Sequence, residues 1–267
     1  MATQRTAARK FPREAARQAP TPVDWPGYSY LEHLRRKHRE NAETKRKGER
    51  TRDALIIATV RILDERGYHA MRISDICEAA EVSPAAFYQY FDNKLAITLA
   101  VLTQFLNDLI GLTKFEIGAH GYYERICEIN LGWIRAVRAN PGLFRCIFQV
   151  GDEVPQFAEI ASSANALWHE RVAASIIRRT GSKQDRTATH AARLAATLLG
   201  GMVDELTRAL FVRQDEAVTS LFSGTGMSDE ELAEFISVLF YRAIYGRSPK
   251  GAASRLARWL ARLTPPD

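Results

Sequence analysis

The sequence has few cysteines and no long apolar run, and both absences exclude classes of protein. Its 267 residues include three cysteines, Cys77, Cys127 and Cys146, and no CxxC pair. Three isolated thiols argue against a disulfide framework. No stretch of eighteen apolar residues occurs, so we expect no transmembrane helix and no stable membrane association. The N-terminus lacks an apolar signal-peptide segment, so we expect a cytoplasmic protein.

Motifs for catalysis and metal binding are also missing. The sequence contains no nucleophile elbow, phosphate-binding loop, metal-ligand cluster or paired-carboxylate motif. The histidines His120, His169 and His190 stand without a carboxylate at ligand spacing, so we expect no metal site and no cofactor. An enzyme is therefore the weakest of the functional hypotheses.

Helical periodicity runs through most of the chain, whereas alternating strand patterns and internal repeats are absent. Ser228 and Glu231 have the spacing of a capping box at the start of the last long helix. The pattern predicts an all-α fold, with helical segments at 93–115, 121–140, 143–151, 154–181, 186–212 and 228–246.

The positive charge is concentrated at the N-terminus. The whole chain carries a net charge of +6, and residues 1–50 contain thirteen Lys and Arg against six Asp and Glu. Such a basic segment favours a polyanionic partner, either nucleic acid or an anionic membrane surface, although a solvated tail has the same composition. We expect residues 1–50 to be a partly disordered basic extension with a helix near 30–47 that is interrupted or bent near Gly48.

The stretch EVSPAAFYQYFDNK, residues 81–94, predicts a short isolated helix of roughly eight residues. Ser83 can cap it, Pro84 suits its first position, and Asp92 or Asn93 can cap the next helix. Such a short helix is unstable alone and must be held from outside. Phe87 and Phe91 are four residues apart and can pack inward.

Two further helices precede this one. The segment after residue 51 has a helical apolar stripe that stops at Gly67, and RISDICEAAEVS forms a second, shorter helix. Residues 51–97 thus form a three-helix unit with a tight turn, whose last helix suits the DNA major groove. The residues expected at the DNA are Ser83, Pro84, Ala85, Ala86, Tyr88, Gln89, Tyr90 and Lys94, with Lys45, Lys47, Arg50 and Arg52 from the basic segment. Tyr90 is equally suited to the core.

The segments LIIATVRILDERGY, ISDICEAAEVS and AAFYQYFDNKLAI together resemble the TetR family of bacterial transcriptional regulators. The resemblance covers about a fifth of the chain, and Val82-Ser83, Tyr88, Phe91 and Lys94 match at the family's spacing. Where the family usually has Thr before its second helix, this chain has Arg72. The resemblance then implies that Arg72 contacts a phosphate and that Ser74 caps the helix.

The resemblance also implies a helical effector-binding and dimerisation domain, here residues 98–246. Its last two long helices, ARLAATLLGGMVDELTRALF and EELAEFISVLFYRAIYG, would form a four-helix bundle in a homodimer on palindromic double-stranded DNA. The small residues Ala195, Ala196, Gly200 and Gly201 allow close helix approach, either in the dimer or within the protein's own core.

An effector pocket is expected among the aromatic residues of this domain, although aromatics at helical spacing also build ordinary cores. They suggest an apolar or aromatic effector. The candidates are Phe105, Trp133, Phe144, Phe148, Phe157, Trp168 and Met202.

Residues 247–267 predict a basic amphipathic helix and tail, with one stripe of apolar residues: Leu256, Trp259, Leu260 and Leu263. Such a helix can lie on anionic lipid, but packing on its own domain or on a partner subunit is favoured. The sequence as a whole indicates a DNA-binding repressor released by an effector. A transcriptional activator of the same fold and an architectural DNA-binding protein using the basic segment are the alternatives.

Overall fold

The computed structural model describes residues 28–112, 121–148, 150, 153–181, 185–224 and 226–263. Within these ranges the chain is helical and contains no strand, which confirms the predicted all-α fold. Residues 1–27 and His120, both discussed from the sequence, lie outside the described ranges. None of the helices in the described part of the chain is long and apolar enough to cross a membrane.

Twelve α-helices follow one another in the described ranges, and a π-helical segment, Arg208–Arg213, continues the ninth. Their bounds are α1 Tyr30–Glu40, α2 Lys47–Ala70, α3 Ile73–Ala80, α4 Pro84–Phe87, α5 Lys94–Leu112, α6 Tyr122–Ala139, α7 Pro141–Phe148, α8 Pro155–Thr180, α9 Arg186–Thr207, α10 Glu216–Ser223, α11 Asp229–Tyr245 and α12 Arg255–Arg262.

Side-chain caps fix several helix starts as the sequence predicts. Asn93 Oδ1 accepts the backbone N–H of Ala96 at 2.8 Å at the start of α5. Ser228 and Glu231 form the predicted capping box of α11, with bonds of 3.1 and 3.2 Å. These caps satisfy N–H groups that a helix start otherwise leaves unpaired.

The N-terminal basic helix is shorter than expected. It ends at Glu40, because the Asn41 side chain donates to the Lys37 carbonyl at 2.8 Å and closes the last turn. A new helix starts at Lys47, where Glu49 accepts the Arg46 backbone N–H at 2.9 Å. The break therefore lies at residues 41–46, and Gly48 continues α2 without a bend.

Helix α1 packs into the main core and is not a free arm. Tyr30 is fully buried and Leu34 is buried, in the same cluster as Leu55 of α2, Phe105 of α5 and Phe144 of α7. Helices α2, α5 and α7 thus share one core with α1, so this part of the basic extension is structurally continuous with the domains that follow it.

Helix α2 loses its helical conformation at Gly67, as the sequence predicts. Gly67 has φ +73°, a left-handed conformation that favours glycine. The backbone carbonyls of Tyr68 and His69, just after Gly67, accept hydrogen bonds from a side chain.

The C-terminal helices form two packed pairs, α6 with α11 and α8 with α9. Helix α12 packs on α11, with Ala257 and Leu260 buried against Val238 and Tyr123. The amphipathic C-terminal helix therefore rests on its own domain, while Trp259 remains 60% exposed. Helix α10, which Asp215 caps, is absent from the helical segments predicted from the sequence. It is eight residues long and has no buried residue.

Candidate DNA interface and effector cavity

A tight turn joins α3 to α4. Glu81 takes the left-handed conformation at φ 56°, and the Val82 backbone N–H donates to the Cys77 carbonyl at 3.0 Å. A helix end closed by one left-handed residue reverses the chain within three residues. This geometry is that of a helix-turn-helix unit.

Helix α4 is held at both ends by the residues predicted to hold it. Ser83 Oγ accepts the Ala86 N–H at 3.2 Å, and Pro84 stands at the first helical position. Phe87 is fully buried and Phe91 is 6% exposed. The helix itself is a single turn, and its rigidity comes from this inward packing.

The outer side of α4 is available to a partner. Tyr88 is 57% exposed, and Ala85 and Gln89 are also exposed. Tyr90 is half-buried, and a Cβ atom added at Gly48 would lie 3.3 Å from its hydroxyl. The start of α2 thus lies beside the segment that follows α4, and Gly48 leaves room for the Tyr90 hydroxyl.

The start of α3 differs from the expectation for Ser74. Helix α3 begins at Ile73 with Arg72 as its N-terminal flanking residue, and Asp75 Oδ2 accepts the Arg72 backbone N–H at 3.0 Å. Ser74 lies inside the helix and is exposed. Asp75 therefore makes the capping bond, because the helix begins two residues earlier than expected. The exposed Arg72 side chain stays a candidate phosphate ligand.

Lys94 is bound within the protein. Its Nζ donates to the Tyr68 carbonyl at 3.0 Å and to the His69 carbonyl at 3.5 Å, and lies 4.5 Å from the centre of the Tyr68 ring. The lysine thus covers the C-terminal end of α2. To make the predicted phosphate contact, Lys94 must either keep its bonds to these carbonyls or give them up.

The four basic residues expected at the DNA have different surroundings. Lys45 pairs with Asp53 at 2.5 Å, and the Arg52 guanidinium lies 5.4 Å over the Phe91 ring. Arg50 is exposed and donates to the Ala42 carbonyl at 3.4 Å. Lys47 is exposed at the first position of α2. Lys47 and Arg50 are therefore the best placed to reach a DNA backbone.

A cavity of about 60 Å³ lies between four helices of the C-terminal part. Most of the side chains around it are apolar. Its lining residues are Leu106, Leu109 and Ile110 of α5, Ile129, Asn130 and Trp133 of α6, Ala164, Asn165, Trp168 and His169 of α8, and Gly200, Val203 and Asp204 of α9.

Two of the seven expected effector residues, Trp133 and Trp168, line this cavity. Phe105, Phe144 and Phe157 are fully buried in the main core, and Phe148 packs against that core. Met202 is 39% exposed on α9, because the helix turns this position away from α8. The aromatic pattern alone does not separate a cavity wall from close-packed core.

Sequence reasoning missed the polar residues of the cavity. Asp204 Oδ2 accepts the Asn165 amide at 3.4 Å, and partial burial raises the pKa of its carboxyl to about 6, against the lowering effect of Arg208. Burial lowers the pKa of the His169 imidazole. The sequence does carry one signal for this site: Asp204 lies four positions after Gly200, which places an acidic residue on the inner face of an amphipathic helix.

Gly200 brings α9 close to α8. A Cβ atom there would lie 2.6 Å from Nε2 of His169 and 3.0 Å from the Trp168 ring. Gly201, by contrast, is exposed with nothing within 4 Å of its added Cβ atom. Gly200 therefore allows α9 to pack closely on α8 within the protein's own core, and it forms part of the cavity wall.

An exposed apolar stripe runs along the outer face of α9. Leu194 is 61% and Leu198 66% exposed, Met202 follows at the next turn, and Leu167 of α8 is 47% exposed. Helix α11 carries no large hydrophobic residue exposed to this degree, because α6 and α12 pack against it. The apolar surface thus lies on the α8–α9 pair and not on α9 and α11, where the sequence placed the dimer bundle.

Comparison with known proteins agrees with this arrangement. Residues 55–101 match the family model of bacterial regulatory proteins of the tetR family. Over 59 residues, 22% of this chain and 27% of the relative, the chain is 39% identical to the HTH-type transcriptional activator FasR of Mycolicibacterium smegmatis. It is 25% identical over 215 residues to the uncharacterized HTH-type transcriptional regulator YdgC of Bacillus subtilis, covering 78% of this chain and 97% of that protein.

The fold is similar to solved structures over its length. A tetR-family transcriptional regulator from Streptomyces coelicolor superposes with a TM-score of 0.57 at 17% identity, covering 80% of this chain and 87% of that chain. The helix-turn-helix geometry, the family model that spans it and the shared helical architecture lead to one assignment. The helix-turn-helix domain at residues 55–101 belongs to the tetR family of bacterial regulatory proteins.

Proposed function

We propose that this TetR-family transcriptional regulator is a cytoplasmic homodimeric repressor, released from a palindromic operator by a small apolar or aromatic effector. The observation that carries the proposal is the course of α5. This helix begins at Lys94, which binds the end of α2, and its later residues Leu106, Leu109 and Ile110 line the cavity. One rigid element thus touches both the DNA-binding unit and the effector site.

The proposed DNA contacts divide into those that read bases and those that position the protein. The start of α4, with exposed Ala85, and the exposed Gln89 would face base edges in the major groove. Tyr88, Arg72, Lys47 and Arg50 would bind backbone phosphates and fix the orientation of the helix without reading sequence.

The proposed dimer joins the α8–α9 face of one protomer to the same face of its partner. Leu194 and Leu198 are the most exposed large apolar side chains on this pair, and their burial would be favourable. A two-fold axis also matches the symmetry of a palindromic operator, in which half-sites lie about 34–36 Å apart.

The proposed mechanism is a population shift. The effector-free dimer would hold its two α4 helices at groove spacing, and an effector between α5 and α9 would favour a state with a different spacing. Because α5 lines the cavity and continues from the helix-turn-helix unit, a change in its tilt would move α4.

The test is binding of the full-length protein to DNA from its own promoter region, beside a scrambled duplex and across a salt series. Specific binding that is lost in a Tyr88→Ala, Lys94→Ala double variant supports the proposal. Equal binding to both duplexes would instead favour the architectural alternative, in which the basic segment alone binds DNA.

The direction of regulation needs a separate experiment, since the relative FasR is named an activator. In vitro transcription from the bound promoter distinguishes the two directions. Less transcript in the presence of the protein supports a repressor, and more transcript contradicts it.

A further inference from the structure

The charge of the cavity indicates which effectors it accepts. Among the lining residues, all of them in the described part of the chain, there is no Lys or Arg, and Asp204 is the one acidic residue. The histidine in the wall, His169, has its pKa lowered by burial and is neutral at pH 7. The wall therefore carries negative charge alone.

Asp204 has weak compensation for its partial burial. Its hydrogen bond from Asn165 is long, 3.4 Å. Arg208, the cation that lowers the pKa of Asp204, lies one turn further along the chain. Its guanidinium stacks 4.7 Å from the centre of the Phe148 ring and pairs with Glu205 at 3.7 Å. A carboxylate in such surroundings gains from a positively charged partner that brings its own hydrogen-bond donors.

The two indole rings of the wall suit the same partner. Trp133 and Trp168 both line the cavity, and an ammonium group over an indole face is attracted by the ring electrons. The Trp133 Nε1–H already donates to Thr207 Oγ1 at 3.3 Å, which fixes that ring in place. The apolar remainder of the wall fits a hydrocarbon or aromatic body.

We propose that the effector is an apolar or aromatic amine whose ammonium group binds Asp204 between Trp133 and Trp168. This inference rests on the proposed function of the cavity as the effector site. It adds the charge of the effector and names Asp204 as the residue that selects it.

A neighbouring cavity marks the limit of this site. It shares Ile129, Asn130 and Trp168 with the first cavity and has Arg125 in its wall, where the guanidinium pairs with Glu128 at 2.7 Å. An effector with an acidic group could bind Arg125 in this second cavity and not Asp204 in the first. The test therefore includes a carboxylate probe.

The test uses three probes with the same phenyl ring and four-carbon chain: 4-phenylbutylamine, 4-phenylbutan-1-ol and 4-phenylbutyrate. Isothermal titration of the full-length protein at pH 7.5 should show the amine binding at least about tenfold more tightly than the alcohol, with the carboxylate weakest. Asp204→Asn should reduce the amine's affinity to about that of the alcohol.

The matched control is Glu159→Gln, which removes the same charge from an exposed position on α8 outside the cavity. It should change none of the three affinities. Carboxylate binding as tight as amine binding, an amine preference that survives Asp204→Asn, or no binding of any probe would each overturn the inference.

Release of promoter DNA separates this inference from the proposed function. If the alcohol or the carboxylate releases the DNA as well as the amine does, the effector site stands and the amine preference fails. If the amine binds in an Asp204-dependent manner and the DNA stays bound, the charge selection stands and the repressor mechanism fails.

Discussion

The backbone N–H of Tyr30 donates to Oδ1 of Asn140 at 2.7 Å, although the two residues are 110 positions apart in the chain. The side-chain Nδ2 of Asn140 donates to the carbonyls of Tyr28 at 3.0 Å and Ala136 at 2.8 Å. The Tyr30 hydroxyl also donates to Asp108 of α5 at 3.2 Å. One buried asparagine thus fixes the N-terminal helix to the junction of α6 and α7.

Asn140→Ala should detach α1 and destabilise the protein. The substitution leaves the Tyr30 N–H and two carbonyls without their partner, which costs about 2–3 kcal/mol of the free energy of unfolding. Urea denaturation measures this loss, and limited trypsin digestion should cut the variant faster at Arg35 and Arg36 of α1. Asn107→Ala, at an exposed position of α5, is the control and should behave like the wild type. Equal digestion of both variants would show that Asn140 does not anchor α1.

Tyr88→Ala should weaken DNA binding without loss of stability. The side chain is 57% exposed, so its removal leaves the core intact and deletes a contact with the DNA backbone. We expect the dissociation constant for promoter DNA to rise about tenfold at an unchanged melting temperature. Phe87→Ala, at the buried neighbour, should instead lower the melting temperature. A Tyr88→Ala variant with wild-type affinity would remove Tyr88 from the interface.

Lys94→Ala separates two roles of one lysine. Loss of its bonds to the Tyr68 and His69 carbonyls should lower the free energy of unfolding by about 1 kcal/mol. If Lys94 also binds a phosphate, the slope of log affinity against log salt should fall by about 1 in magnitude. If the variant loses stability but keeps the wild-type salt slope, Lys94 only stabilises the end of α2 and does not contact DNA.

Leu198→Glu should convert the proposed dimer to a monomer. Leu198 is 66% exposed on α9, and a carboxylate buried there in a two-fold interface would face its own copy. Analytical ultracentrifugation measures the change. Leu221→Glu is the control, since Leu221 is 67% exposed on α10 and does not belong to α8 or α9. Dissociation by the control alone, or by neither variant, would contradict an α8–α9 interface.

Asp204→Asn should stabilise the free protein at neutral pH. The folded-state pKa of Asp204 is raised to about 6 from 3.8, so the folded protein binds a proton more tightly than the unfolded chain does. The ionised group therefore costs stability above pH 6, and this cost disappears as the pH falls through 6 towards 4. The variant should gain about 2 kcal/mol at pH 7.5 and nothing at pH 4, measured by urea denaturation. A gain independent of pH would point to packing and not to charge.

The local structure of the helices could be predicted from the sequence. Ser83, Asn93, Ser228 and Gly67 carry information about helix starts and ends within three or four residues, because capping bonds and left-handed backbone are local properties. The spacing of Phe87 and Phe91 likewise specified which side of α4 packs inward. The helix-turn-helix unit was predictable because its caps, turn and inward-facing residues all lie within about forty residues.

Which helix faces meet depends on contacts between residues far apart in the chain. Trp133 and Phe144 have similar sequence surroundings, yet one lines the cavity and the other fills the core. Met202 and Asp204 are two residues apart on α9, and the rotation of that helix against α8 turns one to the surface and the other to the cavity. Tyr30 is buried through partners on α5 and before α7, which no local pattern specifies. Helical periodicity sets the faces of each helix, whereas long-range packing selects the neighbour that covers each face.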